Sequence, residues 1–509
     1  MHALRTWLGG VIALTFTGCL EPATPRFFDS GVVSADRGLP SGAMDASMAR
    51  DASVVMDAAT DSDGQPPERD MSPEADADGP DLDDARVDAP DADDPGFEDA
   101  RVDDPEDAFR PDASPPGELF GGGSGSPDDP YIVSNRNHLH NVRCRPDAHF
   151  LMSRSIILRE GERRFLPIGG GLAPSEGCPD DQPFTGSFNG GGHVICNLDI
   201  EVAERNVPAG LFSTISSGSV SNLKLLVTWV NAGLEPAGMV AGRILNAGRS
   251  PTLHNVSVSG TITGGGTTGG VAGYIEGATA NRLGARVAVE GHGPTGAIFG
   301  HQLNTLTDEV LVTQSDAQIG GQRQNHPVGG VAGLFEGEGR INNFQVDLNI
   351  LNNNAFGGVA GRADTTGTIG YGYTRGALQG EAIGGGLVGH VVNLTNLSWS
   401  FTQASVFGDE LDVGAALGRI EELGRVSAVF FDPLEGEPPR CAGLDSASPE
   451  LCRAAPTVDN PSYFYHSENS PMAGWNGAID GPTWAFPEDD LPELIHVSTP
   501  PIICLGAPD

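Results

Sequence analysis

The pentapeptide Gly269-Gly270-Val271-Ala272-Gly273 recurs without change at residues 329–333 and 357–361. Looser copies have the form Gly-x-φ-small-Gly, in which φ is an apolar residue, and neighbouring copies begin 27–33 residues apart. A period of this length is typical of solenoid and propeller folds. The sequence contains eight copies, which begin at Gly210, Gly238, Gly269, Gly296, Gly329, Gly357, Gly385 and Gly414.

Alternate positions of the aligned copies have the character of a half-buried β-strand. Position 3 is apolar in all eight copies, and position 7 is apolar in most of them. Position 5 is Gly in seven copies, with Thr214 as the exception. Because side chains alternate between the two faces of a strand, we expect positions 3, 5 and 7 to face the core and positions 2, 4 and 6 to face outward.

A second apolar strand, marked by an Asn-φ-x-φ pattern, accompanies most copies. Each repeat therefore has at least two strands, with glycines at corners and no helical period. Such repeats fit the coils of an all-β, right-handed parallel β-helix, in which equivalent residues lie about 4.8 Å apart. A propeller blade needs about 40–50 residues and four strands, so it fits less well. We expect the marker asparagines to form a hydrogen-bonded ladder: Asn197, Asn222, Asn255, Asn343 and Asn396.

The glycine copies resemble the GLUG motif of bacterial surface proteins, which occurs in adhesin-like and peptidase-associated regions. The three identical copies and Gly-Gly-Leu-Val-Gly at 385–389 carry the resemblance. The preceding segment is also similar, with Asp-Pro-Tyr-Ile-Val at 129–133, Phe-Leu-Pro-Ile-Gly at 165–169 and Phe-Thr-Gly-Ser-Phe-Asn-Gly-Gly-Gly-His at 184–193. The resemblance covers residues 127–433 and implies a β-solenoid there, while it says little about activity.

The first residues resemble the export signal of a bacterial lipoprotein. Arg5 precedes an apolar run from Leu8 to Phe16, which is too short to span a bilayer, and Thr17-Gly18-Cys19 follows it. The resemblance implies a signal peptide over residues 1–18 and acylation of Cys19. It also implies a lipid anchor in the outer membrane, with the protein exposed at the cell surface. The alternative is an ordinary cleaved signal followed by a chance cysteine.

An acidic segment separates this signal from the repeats. Residues 20–117 hold 27 Asp and Glu against 7 Arg, which is about half of the net charge of −39. Such a composition cannot bury enough apolar surface to order the chain, so residues 19–126 are expected to be a disordered tether. The negative charge also disfavours nucleic acid as a partner.

Six cysteines follow Cys19, and an even number in an exported chain predicts disulfides. Six cysteines allow fifteen sets of pairs, which the sequence leaves open. Cys441 and Cys452 are the best local pair, because their bond would close a proline-rich loop. The sequence has no Cys-x-x-Cys of the zinc type, so no structural metal or other cofactor is expected.

Both ends of the array need covers, because an open coil exposes strand edges and core. Residues 134–144 have the pattern of a short amphipathic helix, with Ser134 as its cap and Leu139 and Val142 on one face. This helix would cover the N-terminal end. Residues 434–509 lack the repeat and are expected to form an irregular segment that closes the other end.

Position 6 is the outward position where charged and aromatic residues recur from copy to copy. A stripe of such side chains at coil spacing could bind an acidic polysaccharide through guanidinium contacts and ring stacking. The alternative is that these side chains are solvated and neutralise neighbouring acids. The residues of this candidate stripe are Arg243, Tyr274, His301, Arg362, His390 and Arg419.

Catalytic and metal-binding patterns are weak. Gly291-His292-Gly293 matches a fragment of the polygalacturonase signature, but the paired Asp upstream and the Lys downstream are missing. Glycoside hydrolysis requires two suitably spaced carboxylates, so no catalytic residue is assigned. His138, His140 and Cys144 have a spacing that could hold a metal, but residues i and i+2 of a helix point apart.

The sequence therefore predicts a non-enzymatic surface lipoprotein that acts as a binding or adhesion module. Its expected partners are the membrane, through the lipid, and an extracellular polysaccharide or a surface protein, and the chain is expected to be monomeric. A carbohydrate-active enzyme of the β-helix type, either a polysaccharide lyase or a hydrolase, is the first alternative. A structural component of the envelope is the second.

Overall fold

The structure is a computed structural model, and the predicted signal peptide, Cys19 and the tether up to residue 118 lie outside the residues that it describes. Residues 119–126, which were predicted to belong to the disordered tether, instead pack on the solenoid: Phe120 is buried, and the backbone nitrogen of Gly121 donates to the carbonyl oxygen of Ile132. Its strands stack in parallel, coil upon coil, so the predicted all-β solenoid with one short helix is confirmed. The described residues are 119–158, 164–172, 178, 182–203, 206–319, 326–352, 354–408, 411–433, 440–443, 451–475, 483–500 and 504.

Each of the eight coils presents three outward faces. The first face starts at position 4 of the glycine copy, in strands Phe212–Ser216, Ala241–Leu245, Ala272–Glu276, Phe299–Leu303 and Ala332–Gly337. One long strand then builds the second and third faces, in Ser219–Ala232, Thr252–Gly264, Thr279–Gly291, Leu306–Ile319 and Arg340–Asn352. In the last coils one strand runs from the first face onward, in Ala360–Gly380, Val388–Phe407 and Leu417–Phe431.

Short strands lead into the seven glycine copies from Gly238 onward and form a separate parallel sheet. They end at position 1, and they are Ala237–Gly238, Thr268–Gly269, Thr295–Gly296, Val328–Gly329, Phe356–Gly357, Gly384–Gly385 and Val413–Gly414. The region before the first coil is less regular and contains the strands Tyr131–Val133, His149–Met152, Ile156–Ile157, Ser187–Asn189, Val194–Cys196 and Asp199–Val202.

The two glycines of a copy are required because the backbone is crowded on both sides of a bend. A Cβ on Gly357, at position 1, would lie 2.2 Å from the carbonyl oxygen of Ala360 in the same copy. A Cβ on Gly361, at position 5, would lie 2.5 Å from the backbone nitrogen of Val328 in the preceding coil. Only a residue without a side chain allows both approaches.

The predicted alternation is wrong at positions 2 and 4, which are buried in the core instead of facing outward. The buried position 2 residues include Leu211, Met239, Ala297 and Ala415. The short strand ends at position 1 and the next strand begins at position 4, so the chain bends over positions 2 and 3 and the alternation does not run through the bend. The first copy is also one residue shorter, because Phe212 pairs with Ala241 and Thr214 with Arg243. The buried position 4 residues are Ala241, Ala272, Phe299, Ala332, Ala360, Val388 and Leu417.

The expected asparagine ladder is only partly present. The residues at this bend share a left-handed backbone conformation, and only some of them are Asn. Asn255 Nδ2 donates to Asn222 Oδ1 at 2.9 Å, as expected. Asn396 instead pairs with Thr368, and Asn197 lies at the next corner beside Val227. The column consists of left-handed residues with φ between 49° and 61°, namely Asn222, Asn255, Arg282, Glu309, Asn343, Tyr371, Trp399 and Ala428.

A short helix, Arg136–Asn141, lies near the start of the solenoid and continues into a 3-10 turn, Val142–Cys144. Leu139 and Val142 are fully buried, as expected for its apolar face. The cap is Asn135 rather than Ser134, since Asn135 Oδ1 accepts from the backbone nitrogen of His138. None of the helices in the described part has the length and hydropathy of a membrane span.

The first described part of the C-terminal segment covers the last coil, as expected: the backbone nitrogens of Ala416 and Leu417 donate to the carbonyl oxygen of Cys441, and Arg453 pairs with Phe430. The rest of its described part does not stay at this end and runs back along the second face. We call the described residues between 455 and 504 the strap. It contains 3-10 turns Pro456–Val458, Tyr463–Tyr465 and Met472–Gly474 and strands Trp484–Ala485 and Glu493–Leu494, after strand Arg453–Ala454. It packs on an outward apolar cluster that includes Tyr373 and Phe401.

Polar contacts fix the strap coil by coil. Trp475 Nε1 donates to the carbonyl oxygen of Trp399 at 2.9 Å. Trp484 Nε1 donates to Asn343 Oδ1 at 3.1 Å, two coils nearer the N-terminus. The strap ends in a disulfide between Cys504 and Cys196, which lies before the first coil. The other disulfides join Cys144 to Cys178 and Cys441 to Cys452, the second being the pair proposed from the sequence.

Candidate functional site

The three faces differ in what covers them. The second face lies under the strap, whose apolar side chains bury Tyr373 and Phe401 to within 1% exposure. The first face carries half-buried and exposed side chains at position 6, such as Arg243 and Arg419. The third face carries exposed side chains such as Trp229 and Thr261. The first and third faces are therefore the candidates for contact with a ligand.

The position 6 residues form one continuous ladder on the first face. Register pairs run from Arg243 to Tyr274 and on to His301. Leu334 continues the ladder and interrupts its polar character. The remaining pairs join Leu334 to Arg362, Arg362 to His390, and His390 to Arg419.

A second outward column of acids pairs with this stripe. Arg243 pairs with Glu235 from the loop before its copy. His301 Nε2 lies 2.7 Å from Glu336 Oε2, and Tyr274 Oη donates to Glu276 Oε2 at 3.1 Å.

The other end of the stripe repeats this pattern. Arg362 Nη2 lies 3.2 Å from Asp364 Oδ2, and His390 Nε2 lies 2.9 Å from Glu421 Oε1. The partially exposed ion pairs contribute little to stability, so they mainly hold the side chains in place.

Burial sets the protonation of the two stripe histidines. Burial lowers the pKa of His301, although Glu336 opposes the shift. Burial also lowers the pKa of His390, and the hydrogen bond to Glu421 opposes it. Burial and the nearby Glu276 raise the pKa of Tyr274 to about 12. At neutral pH these three side chains are therefore uncharged.

The first face is consequently not basic. Its formal cations are the guanidinium groups of Arg243, Arg362 and Arg419, whereas five carboxylates accompany them, so three positive charges stand against five negative ones, a net of −2. The five acids are Glu235, Glu276, Glu336, Asp364 and Glu421.

Sequence reasoning found the stripe but missed its acids. Glu276, Glu336, Asp364 and Glu421 each stand two residues after a position 6 residue. Residues i and i+2 of a strand point to the same side, so the alternation that places position 6 outward also places these acids, at position 8, outward.

The weaker catalytic and metal patterns are not brought together. His292 follows a strand, and its Nδ1 lies 3.2 Å from the carbonyl oxygen of Gly264. Cys144 is bound to Cys178, and burial together with Arg143 lowers the pKa of His140 to about 3. The described residues contain no group of three or more His, Cys, Asp or Glu arranged to hold a metal ion.

Comparisons with known proteins give two partial similarities. No family model matches this chain. The chain is 32% identical over 157 residues to halomucin from Haloquadratum walsbyi, a match that spans 30% of this chain and 2% of halomucin. Among solved structures, a Bacteroides ovatus protein described as a candidate immunoglobulin A1 protease has a TM-score of 0.36 and 15% identity. That match covers 75% of this chain and 96% of the other, and at this score it carries no functional argument.

Proposed function

We propose that this protein is a cell-surface binding module whose first face binds a polysaccharide. The observation that carries the proposal is the register ladder from Arg243 to Arg419, which places ring and guanidinium groups one coil apart on an open face. A polymer laid along the solenoid axis would meet a new donor or ring about every 4.8 Å, except at Leu334. Many weak contacts along one chain give avidity without a deep pocket.

The charge balance favours a polysaccharide without net negative charge over the acidic polysaccharide expected from the sequence. A polyanion would meet five carboxylates as well as three arginines, and like charges disfavour binding. Sugar hydroxyls both donate and accept, so they can bond to paired Arg and carboxylate groups together.

Three observations support a surface location. Three disulfides are typical of proteins that fold in an oxidising compartment. The partial similarity to halomucin, named as a mucin, supports an extracellular setting. The lipobox-like Thr17-Gly18-Cys19 and the GLUG-like copies support a lipid-anchored surface protein.

The test is a glycan array probed with the full-length chain. The double variant Arg362→Glu and Arg419→Glu should lose binding to neutral glycans by about tenfold or more, because each removes a guanidinium contact of roughly 1 kcal/mol. Arg425→Glu is the control, since it makes the charge change of one of these substitutions in the last coil, at an exposed residue outside the stripe.

Unchanged binding by the double variant, or no glycan binding by the parent, would refute this function. The same glycans should be assayed for new reducing ends after incubation, because Glu336 and Asp364 are neighbours in register and a hydrolase needs two carboxylates close together. Cleavage that Glu336→Gln abolishes would instead establish the enzymatic alternative.

A further inference from the structure

Exposed apolar side chains cluster in the first coil, at the start of the third face. Val227 is 43% exposed, Trp229 is 38% exposed and Leu234 is 75% exposed, all within eight residues. Single exposed apolar residues are common and need no explanation, but a cluster that includes a Trp is not of that kind. The other tryptophans of the described part are covered: Trp475 and Trp484 are buried, and Trp399 packs under the strap.

Polar groups surround one side of the indole ring. The Arg164 guanidinium carbon lies 5.8 Å from the ring centroid of Trp229. Arg164 also lies 3.5 Å from Glu201 and 3.9 Å from Asp199, both on the strand that precedes the Trp229 coil. Asn231 Nδ2 donates to both Glu201 oxygens, at 3.1 and 2.9 Å. These contacts hold the ring and its neighbours in one arrangement.

The next two coils, on the side of Trp229 away from Asp199, carry small side chains in register with it. Trp229 pairs in register with Thr261, and Thr261 pairs with Ala288 in the next coil. Thr261 and Ala288 are exposed and too small to cover an indole ring. The next outward column carries Asn231, Thr263 and Glu290 in register, which supplies hydrogen-bonding groups along the same floor.

We propose that Trp229, Thr261 and Ala288 form a shelf that binds a sugar ring of a neutral polysaccharide. The C–H face of a pyranose packs on an indole ring, and its hydroxyls can bond to Asn231, Thr263 and Glu290. The carboxylates Asp199 and Glu201 make an anionic sugar a poor fit. The ligand class is that of the proposed function, but the site is separate from the position 6 stripe.

Two sites on different faces have a consequence for adhesion. Left-handed residues, which include Asn222 and Val227 in the first coil, turn the chain between the stripe on the first face and the shelf on the third. A polymer bound to the stripe would therefore not occupy the shelf, and one molecule could hold two polymer chains. Cross-linking then requires both sites, whereas binding requires one.

The test uses the full-length chain with cellohexaose and N-acetylchitohexaose as probes. In the parent, a bound probe should protect Trp229 from acrylamide quenching, because Trp229 is the exposed tryptophan of the described part. In Trp229→Ala the protection should vanish, and the affinity for the better probe should fall about tenfold through loss of ring stacking. Phe407→Ala is the matched control, since Phe407 is 48% exposed on the same face and should leave the affinity unchanged.

The variants separate this proposal from the proposed function. Arg362→Glu with Arg419→Glu should retain the probe-dependent protection of Trp229 while losing binding at the stripe. An affinity in Trp229→Ala equal to that of the parent, or no protection in the parent by either probe, would overturn the shelf. Near-ultraviolet circular dichroism of the buried Trp475 and Trp484 checks that each variant is folded.

Discussion

At the scale of single residues, the corners of the solenoid are backbone conformations that most side chains disfavour. The bend residue equivalent to Asn222 is left-handed in all eight coils, and it is Asn in only three of them. This conformation costs a non-glycine residue about 1–2 kcal/mol of conformational free energy, while Asn tolerates it better through local hydrogen bonds. The stacking of coils therefore holds Glu309, Tyr371 and Trp399 in conformations that their own preferences oppose.

Val227 is the least suited residue in such a position, since it is β-branched, exposed and has a φ of 52°. We expect Val227→Asn to raise the free energy of unfolding by about 1 kcal/mol, because Asn adopts the left-handed conformation with less strain. Chemical denaturation measures the change.

Val458→Asn is the control, since Val458 is 78% exposed and has no left-handed backbone. Its effect should stay within about 0.5 kcal/mol. A destabilised Val227→Asn would show that the corner is not strained.

At the scale of the element, the glycine copy is a tight bend that joins two sheets. Position 1 approaches its own coil and position 5 approaches the preceding coil, so one copy fixes both the bend and the stacking distance. Because protein interiors are close-packed and hardly compressible, a methyl group added at position 1 or position 5 must displace the neighbouring backbone.

Gly357→Ala should therefore lower the free energy of unfolding by about 3 kcal/mol, because its Cβ would lie 2.2 Å from a carbonyl oxygen. Gly121→Ala is the control, since its Cβ would make only contacts of 3.4 Å with ordinary backbone angles. Denaturation by urea compares the two. Equal changes in the free energy of unfolding for Gly357→Ala and Gly121→Ala would show that the bend accommodates the added methyl group, and would contradict the prediction.

At the scale of the whole described fold, the strap changes the behaviour expected of a repeat array. Coils that contact only their neighbours can fray from either end, because stability is a sum of local terms. Here the strap packs on the seventh and fifth coils and is joined to Cys196 before the first coil. The two ends of the array are thereby coupled.

Removal of the Cys196–Cys504 disulfide should lower the free energy of unfolding more than removal of the Cys441–Cys452 disulfide. Chain entropy gives about 5–6 kcal/mol as an upper value for the separation of 308 residues in Cys196–Cys504, against about 3 kcal/mol for the separation of 11 in Cys441–Cys452. Paired serine variants at each bridge, compared by thermal unfolding, should differ in that order. The Cys196 and Cys504 variant should also lose near-ultraviolet circular dichroism from Trp475 and Trp484. A larger loss at Cys441 and Cys452 would contradict the coupling.

The sequence by itself determined the solenoid, its eight coils and the position 6 stripe, because local periodicity and glycine spacing are repeated in every coil. It missed the inward positions 2 and 4 because the bend breaks the strand alternation. It also could not place the strap, Cys196–Cys504 or the Trp229 shelf. Those features join residues up to 308 positions apart, and no repeat marks them. Only the stacking of coils decides which side chains meet across faces, since register converts distant positions into neighbours about 4.8 Å apart.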